Sequence, residues 1–230
     1  MIRVFSMALI AAALGLSIPA RAQLCIGSTS FAHAPLQLTG AAAFNADGKS
    51  YNAGLGFGGR GPFAQGVIGK SHYDEFDGSS SDLGFGVGYQ IPLDPKGKDA
   101  MHLCPLVSWQ HGNGPNNIDV IGDGSLIVDL SQTTWVFGLS IGGVALSGPT
   151  QIVPSGSIAM AKTSVKASQG EFLPTSSSSE NFAVFEFGVG FIFNQSFALR
   201  PSALITSGID NSTTTYGVSA VLSIVRRRAQ

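Results

Sequence analysis

From Phe182 to Asn194 the chain alternates without a break between two kinds of residue. Ala183, Phe185, Phe187, Val189, Phe191 and Phe193 take one set of positions, and Val184, Glu186, Gly188, Gly190 and Ile192 take the other. A period of two puts these sets on opposite faces of an extended strand. One face is large and aromatic; the other is mostly small and carries one acid. A strand lying on a soluble core would normally turn Lys, Glu or Thr outward, so a glycine-rich second face points to a crowded, curved interior.

The same contrast recurs in four more segments. Tyr51, Ala53, Leu55 and Phe57 alternate with Asn52, Gly54, Gly56 and Gly58, and Leu83, Phe85, Val87, Tyr89 and Ile91 with Gly84, Gly86, Gly88 and Gln90. Trp135, Phe137, Leu139 and Ile141 alternate with Val136, Gly138, Ser140 and Gly142. Tyr216, Val218, Ala220, Leu222 and Ile224 alternate with Gly217, Ser219, Val221, Ser223 and Val225. Weaker alternation fills the gaps at Leu36–Asn45, Pro62–Tyr73, Met101–Gln110, Ile152–Lys166 and Phe197–Thr206. Pro154 and Pro201 stand against two of these, because proline donates no ladder hydrogen bond.

Composition narrows what such strands can build. Charged residues make up 12% of the chain, about half the soluble norm, while 44% is hydrophobic. After the N-terminus no apolar run reaches the ~20 residues of a membrane helix. A barrel reconciles these facts by turning apolar side chains to lipid and enclosing small polar ones. The expected fold is therefore all-β: an antiparallel up-and-down transmembrane β-barrel of about ten strands, with eight as the alternative.

The N-terminus reads as a leader. Met1-Ile2-Arg3 begins it, Met7 to Ile18 is apolar, and Ala20-Arg21-Ala22 gives an A-x-A end, predicting a signal peptide over 1–22. Residues 23–35 then form a periplasmic segment, 36–225 the barrel and 226–230 a basic tail. Removing Arg3 and Arg21 leaves eleven basic residues against fourteen acids. That balance argues against nucleic acid, and Arg226-Arg227-Arg228 reads as a solvated end.

The connections fall into two alternating sets. Asn45–Lys49, Asp74–Ser81, His111–Ser125, Ala167–Glu180 and Ser207–Ser212 are longer on the whole and polar. Gly58–Gly61, Pro92–Ala100, Ala145–Thr150 and Asn194–Ser196 are mostly short. Bacterial barrels have short periplasmic turns and longer extracellular loops, which predicts that the first set lies outside and both termini are periplasmic. Cys25 and Cys104 would then both lie toward the periplasmic end. An even count in an exported chain fits one bridge, with two separately packed thiols as the alternative.

These features together resemble the small bacterial outer-membrane β-barrels, the OmpA-like or porin-family barrel domains, over roughly residues 36 to 225. The last strand, Thr215-Tyr216-Gly217-Val218-Ser219-Ala220-Val221-Leu222, resembles the signal read by barrel assembly machinery. It departs from the usual aromatic end by continuing from Arg226 to Gln230. The resemblance implies a Gram-negative outer-membrane location, with membrane lipid and that machinery as partners.

No motif for catalysis emerges. His72, Asp74, Glu75 and Asp77 share one rim, and His111, Asp119, Asp123 and Asp210 lie on others, as solvated loops would have them. Ser108 and His111 fall on opposite faces of a strand, which disfavours a nucleophile–base pair. The four histidines lack metal-ligand spacing, and Gly54-x-Gly56-x-Gly58 precedes no helix, so no dinucleotide is expected. No cofactor or metal is expected either. Parity predicts lumen charges at Lys70, Glu186 and Arg200, with His72 nearby. A tight turn at Asn194–Ser196 sets Arg200 opposite Gly190, about 14 Å along the strand from Glu186, so those two are not expected to be neighbours. The lipid face is expected at Phe57, Phe85, Trp135, Phe137, Phe185, Phe187, Phe191 and Tyr216.

Few lumen charges in a narrow barrel predict an interior filled by side chains. The functional expectation is a non-enzymatic outer-membrane barrel with an envelope-structural or surface-interaction role through its loops. A narrow channel for small solutes and a secreted soluble β-barrel or sandwich binding protein are the alternatives.

Overall fold

The alternating segments close into one barrel. The computed structural model describes residues 36–58, 61–73, 78–93, 101–114, 118–119, 127–145, 150–168, 176–193, 197–207 and 212–224. The expected leader, the 23–35 segment with Cys25, and the 226–230 tail lie outside the described residues. Ten long strands are present: β1 (Leu36–Asn45), β2 (Gly48–Gly58), β3 (Gly61–Tyr73), β4 (Gly78–Pro92), β5 (Met101–Asn113), β7 (Ile127–Gly143), β8 (Thr150–Ser168), β9 (Ser176–Phe193), β10 (Phe197–Ser207) and β11 (Thr213–Ile224). The two-residue β6 (Ile118–Asp119) pairs only with β7, inside the β5–β7 connection.

Each long strand pairs antiparallel with the next, and β1 pairs with β11 from Leu36↔Ile224 to Phe44↔Tyr216. Closing the sheet this way leaves no open edge among the ten, so their backbone groups can be satisfied within lipid. The wall is uneven: β7, β8 and β9 have 17, 19 and 18 residues, whereas β1 has 10.

Several ladders outrun the apolar segments that announce them. Gly78 to Ser81, Ser176 to Glu180 and Gly48 to Lys49 are strand, although their polarity reads as loop. Polarity marks where the wall leaves lipid; main-chain pairing continues into water beyond it.

The prolines fit by interrupting ladders locally. Pro201 pairs with Val218 on β11, but toward β9 the register passes from Leu199↔Phe191 to Ser202↔Gly188. Pro154 pairs with Val189 on β9, just past Ser155, where the β7 ladder ends. Each proline thus sits where one flank asks for no donor. Gly58 and Gly61 have φ of 119° and 90° around the β2–β3 turn, a region that side chains with a Cβ rarely adopt.

Candidate functional site: the lumen and the outer belt

Alternation now has a physical direction. On β9, Phe182, Val184, Glu186, Gly190 and Ile192 are buried, while Phe187 and Val189 are exposed. Exposed large apolar side chains occur on every one of the ten long strands, among them Tyr216 at 64%, Ile68 at 63% and Phe187 at 60%. An apolar belt around the whole circumference is far more than a soluble monomer leaves in water.

Inside, the lumen is packed and two-sided. One flank is apolar, where Val136, Ala161, Phe182, Val184 and Leu204 form a cluster and Val153, Ile192, Ala198 and Val221 form a second. The other flank is polar, with Gln37, Asn52, Gln65, Gln90, His102 and Gln110 all buried. Toward the end bearing the longer connections, Ser71 Oγ donates to Asp82 Oδ2 at 3.2 Å, Tyr73 and Ser80 share a hydroxyl contact of 3.1 Å, and Thr134 meets Thr163 at 2.9 Å. A recess lined by Ala43, Asn45, Ser50, Ser71, Tyr73 and Thr215 opens at that mouth.

Between the two apolar clusters, on β9 and β10, lies an ion pair. Arg200 Nη1 donates to Glu186 Oε1, and both residues are 2% exposed. Arg200 Nε and Nη2 also donate to Ser155 Oγ at 3.2 and 3.1 Å, while Ser155 donates to the Gly188 carbonyl at 3.3 Å. Ser157 Oγ donates to Glu186 Oε2 at 3.5 Å, and Ser219 Oγ to the Arg200 carbonyl at 3.3 Å. Burying two charges is costly unless their remaining donors and acceptors are met, and the β8 serines, Ser155 on the guanidinium and Ser157 on the carboxylate, meet part of that need.

The comparisons with known proteins agree on fold alone. No family model and no curated protein matches the chain. Among solved structures, the β domain of the Bordetella autotransporter BrkA aligns with a TM-score of 0.52 at 12% identity, covering 82% of this chain and 98% of its own. The translocator domain of the autotransporter NalP from Neisseria meningitidis aligns with a TM-score of 0.51 at 11% identity, covering 94% and 99%. The fold is that of an outer-membrane β-barrel.

Within this outer-membrane barrel fold, the residues singled out from sequence divide sharply. Phe57, Phe85, Trp135, Phe137, Phe187 and Tyr216 are exposed on the outer wall, and Phe185 and Phe191 share that face at intermediate exposure. Cys104 is completely buried on the lumen side against Phe63 and Leu106, and no free cysteine occurs among the described residues. Ser108 faces the lumen, while the His111 ring contacts Thr133 and Asn113 Oδ1 and stacks on Trp109 on the outer face. Among the described residues no group of three or more His, Cys, Asp or Glu could hold a metal. Asp74, Glu75, Asp77, Asp123 and Asp210 lie outside the described residues.

Two expectations are corrected. Lys70 faces outward, two residues beyond the exposed Ile68, and His72 shares its face. The reason lies in β3, where the inward Phe63 and Val67 are larger than the outward Ala64 and Gly66. The usual size contrast is therefore reversed, and it misreports the parity. Second, Glu186 and Arg200 pair directly despite their four-residue offset. The arginine lies along β9 over Gly188, where an added Cβ would come within 2.5–2.7 Å of Nε, Cζ and Nη2. A glycine on the inner face opens the groove that spans the offset.

Asp82, buried on β4, is a lumen charge that sequence reasoning missed. Extending the Gly84, Gly86, Gly88 parity by one step would have found it. Ser155 and Ser157 gave no such signal, since Pro154 obscures the strand around them.

Proposed function

We propose that this chain is a non-enzymatic outer-membrane barrel protein of a Gram-negative-type bacterium, acting in envelope structure or surface interaction through its longer connections. The observation that carries the reading is the full apolar belt around a lumen closed by side chains. Such a wall suits lipid on the outside, and the Glu186–Arg200 pair, packed between two apolar clusters, suits a filled interior better than a path for solutes.

In this reading the leader is removed after Ala22, and assembly machinery inserts the barrel with both termini in the periplasm. The connections after β1, β3, β5, β8 and β10 then face outward. Cys25 bridges to Cys104 and ties the N-terminal segment to the wall; the burial of Cys104 and its lack of a free thiol support this. The surface ligand is left unassigned.

Cell fractionation with an epitope placed between β8 and β9 tests the reading. The protein is expected in the detergent-dependent outer-membrane fraction, with the epitope accessible on intact cells. The purified barrel is expected to be silent in planar bilayers where a control porin conducts. Recovery as a soluble periplasmic protein would overturn the membrane reading, and steady conductance would favour a narrow channel.

A further inference from the structure

Two buried polar side chains near the mouth are left short of partners. Asn52 on β2 and Asp82 on β4 both point into the lumen, four residues in from the strand ends at Gly48 and Gly78. Each is only 9% exposed. Asn52 Nδ2 has no hydrogen-bond partner. Among the described residues Asp82 accepts one hydrogen bond, from Ser71 Oγ to Oδ2, and no cation pairs with it. Arg200 is committed to Glu186, and the His111 ring is held by Thr133 and Asn113.

A glycine joins the two groups. The register sets Asn52 opposite Gly69 and Gly69 opposite Asp82. Asn52 leans over that glycine, where an added Cβ would collide with its Oδ1. Asp82 leans over Gly112 on β5 in the same way. With no side chain on Gly69, the floor between amide and carboxylate stays open. Ser50 and Ser71 form the next inward step toward the mouth, and both line the recess there with Tyr73 and Thr215.

The two groups select a ligand by elimination. Asn52 Nδ2 is a donor and needs an acceptor, whereas the Asp82 carboxylate needs donors. An ammonium or guanidinium would serve Asp82 but offers Asn52 no lone pair. A carboxylate or phosphate would serve Asn52 but meet a like charge at Asp82. A hydroxyl serves both, donating to one and accepting from the other. Adjacent hydroxyls on one ring let a single molecule reach both side chains across Gly69. Water shares that chemistry, but the Tyr73 ring in the recess above suits the apolar face of a larger polyol.

We infer that the mouth recess binds a neutral sugar. One pyranose ring enters past Ser50 and Ser71, with one hydroxyl on the Asp82 carboxylate and its neighbour on Asn52 Nδ2. This deepens the surface-interaction reading by naming a ligand class, and it rests on that reading only for the side of the membrane that the recess faces.

The test uses the full mature chain refolded in a sugar-free detergent, so that neither orientation nor a glycosidic headgroup interferes. Methyl glucoside, methyl galactoside and methyl mannoside are the probes, with putrescine and glucuronate as cationic and anionic controls. Saturation-transfer NMR is expected to show saturable binding of at least one glycoside and of neither control. Asp82→Asn and Asn52→Ala should each weaken that binding by about tenfold or more, the scale of one hydrogen bond to a charged or buried group. Lys162→Gln, on the outer wall, should leave it unchanged. A second readout needs no folded variant of the carboxylate: the Asn52 side-chain amide signal in isotope-labelled wild type should shift as the glycoside saturates. A wild-type barrel that binds none of the three glycosides, and so holds water only, would overturn the inference. So would tighter binding of either control, undiminished binding in Asp82→Asn and Asn52→Ala, or an amide signal unmoved by bound glycoside. A refolded barrel that ignores sugars sinks only this inference, whereas a chain that folds as a soluble protein without detergent sinks the membrane reading itself.

Discussion

Glu186 on β9 and Arg200 on β10 are four ladder positions out of register, since Glu186 is opposite Leu204, and they nevertheless form a buried ion pair. The arginine bridges the offset by lying over Gly188 and resting on Ser155. Removing one partner leaves a charge buried without its counterion. Glu186→Ala or Arg200→Ala is therefore expected to cost about 3–5 kcal/mol. The double change Glu186→Met with Arg200→Met should cost less than the two single changes combined. Urea unfolding of the refolded barrel in vesicles measures all of these.

Gly188 has a separable role. An added methyl meets the far end of a flexible side chain, so the guanidinium must shift off its partners. Gly188→Ala should cost about 1–3 kcal/mol in the native barrel, and under ~0.5 kcal/mol once Arg200 is already alanine. A double-mutant cycle reads the difference as coupling. Equal costs in both backgrounds would mean that the glycine serves the backbone and not the arginine.

The outer face gives a paired prediction. Phe187 lies mid-wall at 60% exposure, and Phe187→Arg should cost about 2–4 kcal/mol of insertion free energy, as a cation does at the midplane. Lys70→Gln, outward and beyond the belt, should change stability in phosphatidylcholine by no more than ~0.5 kcal/mol. A large loss from Lys70→Gln would return that residue to the lumen.

The proposed bridge predicts one intramolecular disulfide in the purified mature chain, seen as a two-proton mass difference on reduction. Cys104→Ser or reduction should lower stability by about 2–4 kcal/mol. A reduced chain of unchanged stability would leave Cys104 as packing alone.

Much of this barrel is legible in the sequence because lipid and lumen impose opposite demands on alternate residues. β4, β7 and β9 state their parity plainly through glycine against aromatic. Legibility fails where the two faces stop differing in size, as on β3 between Phe63 and Ala64, and this hid the outward direction of Lys70. It also fails above the belt, where both faces meet water and Gly78 to Ser81 reads as loop although it is strand. The Glu186–Arg200 pair was obscured for another reason. Register gives the distance between Cα atoms, whereas a long guanidinium lying over a glycine covers that distance with its own side chain.

The measurement that most directly tests the central claim is a nitroxide scan of residues 183 to 191 in vesicles, in a background lacking Cys25 and Cys104. Odd positions are expected to be accessible to oxygen and not to a polar nickel chelate, and even positions to neither, giving a period of two across β9. Access of the nickel chelate to the odd positions, or to the even ones as an open channel would allow, would contradict a lipid-facing wall around a filled lumen.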